Sequence, residues 1–338
     1  MAGFVQAVLE ELKLHQRNLP VKPKTIFFGG GTPTALSETH LHTLLTGLRE
    51  QTDFSQLQEL CLEANPKTIS ASKARLLKDH GITRVSLGVQ AWDAPTLQLL
   101  GRDHAPDEAV ETYDILRQAG IPSVNLDLMF SIPGQNLAVW KEGLEKTIAL
   151  QPDHVSCYNL TYEEDTEFLV KHRQGKLDTD GDRDADHFYA AIDLLNAAGY
   201  EHYEISNYAK AGHRSTHNQA YWRGADYLGL GPSAYSTHLR TRWKNIADTT
   251  EYIRLVQDQR VPIVESEDLN DTQWLMERVA LELRTTEGMS LDRVATSLSS
   301  TLQTLIDEHL VEQRDGRIRL TRTGKGLTDK IAEMLLPD

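Results

Sequence analysis

Thr25-Ile26-Phe27-Phe28-Gly29-Gly30-Gly31-Thr32-Pro33-Thr34 is the stretch on which the fold turns. Its first four residues are β-branched or aromatic, which spells a short buried strand. Three glycines and a Thr-Pro pair then end that strand in a turn without side chains. Ser37 follows as an N-cap, and Leu41, Leu44 and Leu45 recur at helical spacing. Strand, glycine turn and helix in that order bring bare backbone against a ligand in α/β enzymes. Taken alone, the turn is better read as a tight βα connection without a ligand. It has neither the G-x-G-x-x-G spacing of a dinucleotide site nor the Gly-Lys-Ser/Thr of a P-loop.

Working outward, the same alternation continues. Residues 4–16 carry an apolar helical stripe, and 38–49 form the helix after the glycine turn. Apolar runs at 60–64, 84–90, 124–130 and 154–160 read as strands, separated by helical patterns at 71–79, 107–118 and 136–150. Strands alternating with helices through short connections predict a parallel sheet covered by helices. Glu63, Gln90, Asp127 and Thr161 fall at or near strand C-terminal ends. In a parallel sheet or barrel those ends share one face, and ligands bind there.

The second half is more mixed. Residues 165–183 are polar and predict an exposed helix and loop; 186–198 predict a helix, and 200–208 alternate as one strand. Residues 212–222 read as a loop rich in His, Asn and aromatic side chains. Residues 227–236 are apolar and punctuated by glycine, compatible with backbone packed on a planar ligand. From about Thr249 the spacing predicts helices over 251–258, 272–283, 290–297 and 301–308. A hairpin over 310–320 follows, turning at Asp315-Gly316. Helices with a small hairpin predict a winged-helix-like appendage, which divides the chain into 1–245 and 246–338.

Composition sets outer bounds. The net charge of −14 argues against a general nucleic-acid surface, so the arginines of the wing read as a solvated face. No apolar run approaches the ~20 residues of a membrane span, and the N-terminus lacks a signal peptide's basic region and cleavage site. A cytoplasmic location is the expectation. The two cysteines, Cys61 and Cys157, lie far apart in apolar strands and read as core thiols.

Six motifs then converge on one resemblance. They are Gly29-Gly30-Gly31-Thr32-Pro33-Thr34, Glu63-Ala64-Asn65-Pro66, Gly88-Val89-Gln90, Gly101-Arg102, Asp127-Leu128-Met129-Phe130 with Pro133-Gly134-Gln135, and His217-Asn218-Gln219-Ala220-Tyr221-Trp222. In this order and at these intervals the chain resembles radical S-adenosylmethionine proteins related to oxygen-independent coproporphyrinogen III oxidase, in particular their heme-chaperone branch. The resemblance implies an α/β fold, an incomplete (β/α)6 barrel with a mainly helical, winged-helix-like C-terminal domain. It implies that Gly30, Gly31 and Thr32 hold the amino-acid end of S-adenosylmethionine, that Glu63 and Gln90 touch the same ligand, that Arg102 pairs its carboxylate, and that Asp127 accepts from the ribose. An ammonium needs acceptors, which bare carbonyls and a hydroxyl supply, and a guanidinium matches a carboxylate as a fork. By the same resemblance His217 is a heme ligand, and Tyr221 and Trp222 are flat walls beside it. The function implied is delivery of heme to respiratory membrane proteins, with no nucleic acid and a homodimer as the candidate assembly. The alternative activity is oxidative decarboxylation of coproporphyrinogen III.

One family feature is absent. Members carry C-x-x-x-C-x-x-C after the first barrel strand, whose thiolates hold a [4Fe–4S] cluster, and this chain has no such triplet. The cluster is therefore not expected in the chain as written. Either a preceding segment is missing from this sequence or the chain is a natural cluster-less relative; the intact adenosyl-side motifs favour the first.

Overall fold

The computed structural model of the chain describes residues 1–161, 173, 174 and 181–336. Most of the polar stretch 165–183 lies outside those residues.

Helix α1 (Ala2–Gln16) leads to β1 (Thr25–Phe28), and α2 (Glu38–Gln51) begins at Ser37, whose hydroxyl accepts from His40 N–H as the spacing predicted. Then come β2 (Glu59–Ala64), α3 (Ala71–Asp79), β3 (Arg84–Gln90), α4 (Ala94–Leu99) and α5 (Pro106–Gln118). The unit ends with β4 (Ser123–Phe130), α6 (Leu137–Leu150) and β5 (His154–Asn159). Strands β1 to β5 pair in chain order and all in parallel, a half-barrel curled around its own strand ends. The buried core fills the space between the sheet and α1 to α6, with Leu62, Val85, Leu87, Val124, Leu126 and Val155 fully enclosed. Strands β2 to β5 alternate: Leu60, Leu62, Val85, Leu87, Val124, Leu126 and Val155 enter the core, while Glu63, Ser86, Asn125, Asp127 and Ser156 face inward.

Helix α7 (Gly181–Ala197) returns the chain to the sheet. There the single strand expected over 200–208 is instead two short antiparallel strands, β6 (Glu201–Glu204) and β7 (Asn207–Ala209), giving the order β1-β2-β3-β4-β5-β7-β6. The break has a local cause: Glu204 Oε1 accepts from Ser206 N–H and from the Asn207 amide, which folds the chain back at Ile205-Ser206.

The expected loop 212–222 is half helix, α8 (Thr216–Trp222), capped by Ser215 Oγ accepting from Asn218 N–H. Of the glycines of 227–236, Gly229 packs on protein, while nothing stands within 4 Å of where a Cβ on Gly231 would be. A Cβ on Gly229 would lie 2.1 Å from the Tyr235 carbonyl oxygen, and Gly231 N–H donates to the buried Glu11 of α1. Strands β8 (Tyr235–His238), β9 (Thr241–Asn245) and β10 (Ile263–Asp268) form a second, antiparallel sheet, with α9 (Thr249–Gln257) packed on α1. This sheet straddles position 245.

Helix α10 (Asp271–Glu282), β11 (Met289–Ser290), α11 (Ser299–Asp307), β12 (Val311–Arg314), β13 (Arg317–Leu320), α12 (Arg322–Lys325) and α13 (Thr328–Met334) complete the chain around a separate small core. The hairpin turns at Asp315-Gly316 with φ of 53° and 71°, the left-handed pair that the sequence requires there. The helix expected over 290–297 is two 3-10 turns, Leu291–Arg293 and Thr296–Leu298. Of the wing arginines, Arg317 and Arg319 donate to the Glu287 carbonyl and Arg322 pairs with Asp193.

Candidate functional site

The strand ends of the half-barrel surround a cavity of about 960 Å³. Gly31, Thr32, Glu63, Gln90, Arg102 and Asp127 all line it, as does Thr161. Side chains and backbone from well-separated segments thus face one space. Residues 284 and 325–330, from beyond α10, close the opposite wall.

Each position follows from local backbone. Gly30 and Gly31 take φ of 75° and 132°, values that a side chain would strain, and nothing stands within 4 Å of where a Cβ would be. The turn is therefore bare backbone beside open space. Lys73 braces it from below, donating to the carbonyls of Thr34 (2.7 Å) and Thr68 (2.9 Å). Gln90 has φ of 68°, rare outside glycine, at a register shift that ends β3 and turns its amide back over Gly88.

The floor is acidic. Asp127 is held by Ser86 Oγ and Asn125 Nδ2, each donating at 2.7 Å. Burial still raises its carboxyl above the ordinary value, against those hydrogen bonds. Glu63 is pushed up to about 7, first by burial and then by the nearby Asp127, while Gly30 N–H pulls the other way. Two carboxyls held short of full ionisation are what a cationic ligand would complete. Across the cavity, the Arg102 guanidinium is exposed and has no ion-pair partner among the described residues.

A buried polar chain extends from the floor. Asn125 Oδ1 meets His154 Nδ1 at 2.7 Å, His154 Nε2 meets the Tyr203 hydroxyl at 2.7 Å, and that hydroxyl accepts from Ser215 N–H at 3.2 Å. Ser215 is the N-cap of α8, so the chain ends at the helix that carries His217.

That helix packs against β1, the edge strand, and Ser215 and Asn218 near its start line the large cavity together with Phe27. Glu59, buried at the start of β2, gathers the helix start into one carboxylate: it accepts from Ser215 Oγ, Thr216 N–H and His217 N–H at 3.1–3.2 Å, and from Arg84 Nε at 3.1 Å. Arg84 in turn donates to the His213 carbonyl at 2.7 Å. The His217 ring stacks on Phe27 (centroids 4.9 Å apart, planes within 10°) and meets Tyr221 edge-on at 5.0 Å. Its Nδ1 is 2.9 Å from Thr25 Oγ1. Partial burial lowers its basicity, so the imidazole is neutral near pH 7 and has a lone pair to give.

His217 and Tyr221 therefore share an aromatic cluster with Phe27 and Tyr227, and neither of the two lines the large cavity. Trp222 turns elsewhere: its ring lies under the Arg284 guanidinium at 5.3 Å, facing a small cleft with Tyr203 and Glu204. Thr25, Phe27, Glu59 and Arg84 were not legible as site residues. The only sequence signal was a charged residue opening each of two otherwise buried strands.

Relatives agree with this architecture. Residues 5–146 match the family model of the Radical SAM superfamily. A heme chaperone HemW from Lactococcus lactis is 30% identical over 99% of this chain and 90% of its own length. One from Bacillus subtilis is 33% identical over 91% and 84%. The chain belongs to the HemW family of radical SAM proteins. The coproporphyrinogen III oxidase HemN from Escherichia coli superposes with a TM-score of 0.81 over 98% of this chain and 82% of its own, at 21% identity, a likeness of fold.

The family's two prosthetic partners fare differently against these residues. A cationic adenosyl amino acid fits a cavity with bare glycine backbone, an acidic floor and an unpaired guanidinium. A [4Fe–4S] cluster does not fit. Cys61 and Cys157 sit buried on separate strands with thiols pushed up by burial, and no three His, Cys, Asp or Glu side chains among the described residues could share a metal.

Proposed function

We propose that the chain is a cytoplasmic heme chaperone that takes heme iron on His217 Nε2 and passes heme to respiratory proteins of the membrane. Its barrel cavity would take S-adenosylmethionine. The observation that carries the reading is the His217 imidazole, neutral, occupied at Nδ1 and without a partner at Nε2 among the described residues. It stands between Phe27 and Tyr221, which are 39% and 38% exposed, and Tyr221, steeply inclined to the imidazole, has the orientation of an apolar face for a porphyrin. Near-full-length similarity to proteins named heme chaperones supports the same reading. No described helix is long and apolar enough to cross a membrane.

In this reading Tyr221 flanks the iron site and Trp222 anchors the far end of α8 against Arg284. Gly30, Gly31 and Thr32 offer carbonyl and hydroxyl acceptors to the ligand's ammonium, and Arg102 takes its carboxylate. Asp127 accepts from the ribose hydroxyls, Gln90 donates from its turned-back amide, and Glu63 faces the positive charge. When bound, S-adenosylmethionine supplies an adenosyl group on a sulfonium. A homodimer belongs to the same reading and is checked by sedimentation.

Titration with hemin tests the proposal. The native chain is expected to give a shifted Soret band that saturates, and His217→Ala is expected to lose it. Identical Soret changes in both would remove His217 from the function.

A further inference from the structure

We propose that Thr25 is the positioning residue for His217: its hydroxyl takes the Nδ1–H and so leaves the lone pair on Nε2. The inference rests on His217 being the heme ligand, and goes on to say what makes it one.

Without Thr25 the orientation of the ring is degenerate. Residues i and i+2 of a strand share a face. Thr25 and Phe27 thus present adjacent side chains on β1, and α8 lies against both. Glu59 fixes where the backbone of His217 begins, and the stack on Phe27 fixes the plane of its ring. Neither fixes which edge of the ring faces which way. A half-turn about the Cβ–Cγ bond keeps the plane and the stack but exchanges Nδ1 with a carbon, and Nε2 with another. The contact that separates the two orientations is the 2.9 Å approach of Thr25 Oγ1 to Nδ1, the one hydrogen bond of this ring among the described residues. The hydroxyl can accept from Nδ1–H or donate to Nδ1, so the same contact couples to the tautomer. With Nδ1–H donating to Thr25, Nε2 is a bare donor for iron; with Thr25 donating to Nδ1, Nε2 carries the proton and cannot ligate. Metal-binding histidines are held by such a bond on the second nitrogen, and losing it costs ~10–100-fold in metal affinity.

Three variants test this: Thr25→Val, Thr25→Ser and His217→Ala. Valine has the shape of threonine and favours strands, so β1 and its stack persist. Long-range ¹H–¹⁵N spectra of the hemin-free protein are expected to show one His217 tautomer, Nδ1–H, in the native chain and in Thr25→Ser. A mixture is expected in Thr25→Val. In hemin titrations Thr25→Val is expected to bind ~10–100-fold more weakly with a heterogeneous spectrum, and Thr25→Ser to restore both. The proposal is overturned if Thr25→Val titrates like the native chain while His217→Ala does not, or if the native ring carries its proton on Nε2. If His217→Ala itself titrates like the native chain, the ligand reading fails, and the tautomer spectra still decide whether Thr25 sets the ring.

Discussion

The inward face of the sheet carries two polar regions that are built on opposite terms, an inner one around the cavity at the strand C-terminal ends and an outer one beneath α8 at the strand starts. On the inner side, past Gly31, the carboxyls of Glu63 and Asp127 and the guanidinium of Arg102 face the cavity and are not matched to one another. On the outer side, Glu59, Arg84, Ser215 and the first amides of α8 largely answer each other, with Arg84 Nη1 and one His217 nitrogen left without a partner among the described residues. The difference is between a surface awaiting a partner and a scaffold that presents one. Buried polar groups that are mutually satisfied hold structure, while those left short of partners mark where a ligand completes them. Substitutions should therefore cost stability on the outer side and binding on the inner side.

The largest effect is expected at Glu59. Truncation to Ala leaves the Arg84 guanidinium buried without its carboxylate and strips the acceptor from the start of α8. Losing one partner of a buried pair costs about 3–5 kcal/mol. Urea unfolding of Glu59→Ala should show a loss of that order, and Glu59→Ala with Arg84→Met should recover part of it. If the double variant is no more stable than the single, the two charges are not acting as a pair.

Gly29 tests the strand that both regions share. A Cβ there would sit 2.2 Å from Phe27 Cε1, so Gly29→Ala must push the ring off its stack with His217. Gly29 and Phe27 are both exposed, so the ring swings aside with little loss of stability. Hemin binding should weaken while S-adenosylmethionine binding, measured by calorimetry, changes less. Equal loss of both would mean that the two regions are not separable.

Asp127→Asn should do the reverse. Ser86 and Asn125 donate to different oxygens of Asp127, so the new amide keeps one oxygen for Asn125 and turns its NH2 toward the Ser86 hydroxyl, which can accept. The fold should lose about 1 kcal/mol, while affinity for S-adenosylmethionine falls about tenfold or more. A variant that unfolds instead would place Asp127 with the scaffold.

How much of this the sequence revealed follows the same division. The inner side was legible because its devices are local: three glycines after an apolar run, and single polar residues at strand ends. Those ends meet by the geometry of any parallel sheet, so Glu63, Gln90 and Asp127 could be gathered before the fold was known, with Arg102 added by its motif. The outer side was illegible because its contacts join residues far apart in the chain: Thr25 to His217, Glu59 to Ser215. Nothing in the charge at Glu59 says that it faces a helix start more than a hundred residues away. Short elements failed for a related reason. In α8 and the β6–β7 hairpin, single side-chain hydrogen bonds from Ser215 and Glu204 decide the structure, and periodicity over four to seven residues cannot register them.

The smallest effect sharpens the contrast most, because at Glu63 stability and binding should run in opposite directions with pH. The folded carboxyl titrates at about 7 against an ordinary 4.5. Below 4.5 it is protonated folded or unfolded, and its contribution is whole. Between 4.5 and 7 the unfolded chain gives up the proton while the folded chain keeps it, so stability drains away as pH rises and levels off above 7. Glu63 is partly open to solvent, which limits the change to about 1 kcal/mol. Glu63→Gln cannot ionise, so the native chain should lose stability relative to it between pH 5 and 8, by thermal unfolding at matched ionic strength. Other raised carboxyls, such as the buried Glu204, cancel in that difference. A cationic ligand needs the ionised form, and so the affinity of the native chain for S-adenosylmethionine should rise about tenfold from pH 6 to pH 8, while that of Glu63→Gln stays flat. Parallel slopes for the two proteins in either measurement would show that this carboxyl does not titrate against the cavity, and the inner region would then be a scaffold like the outer.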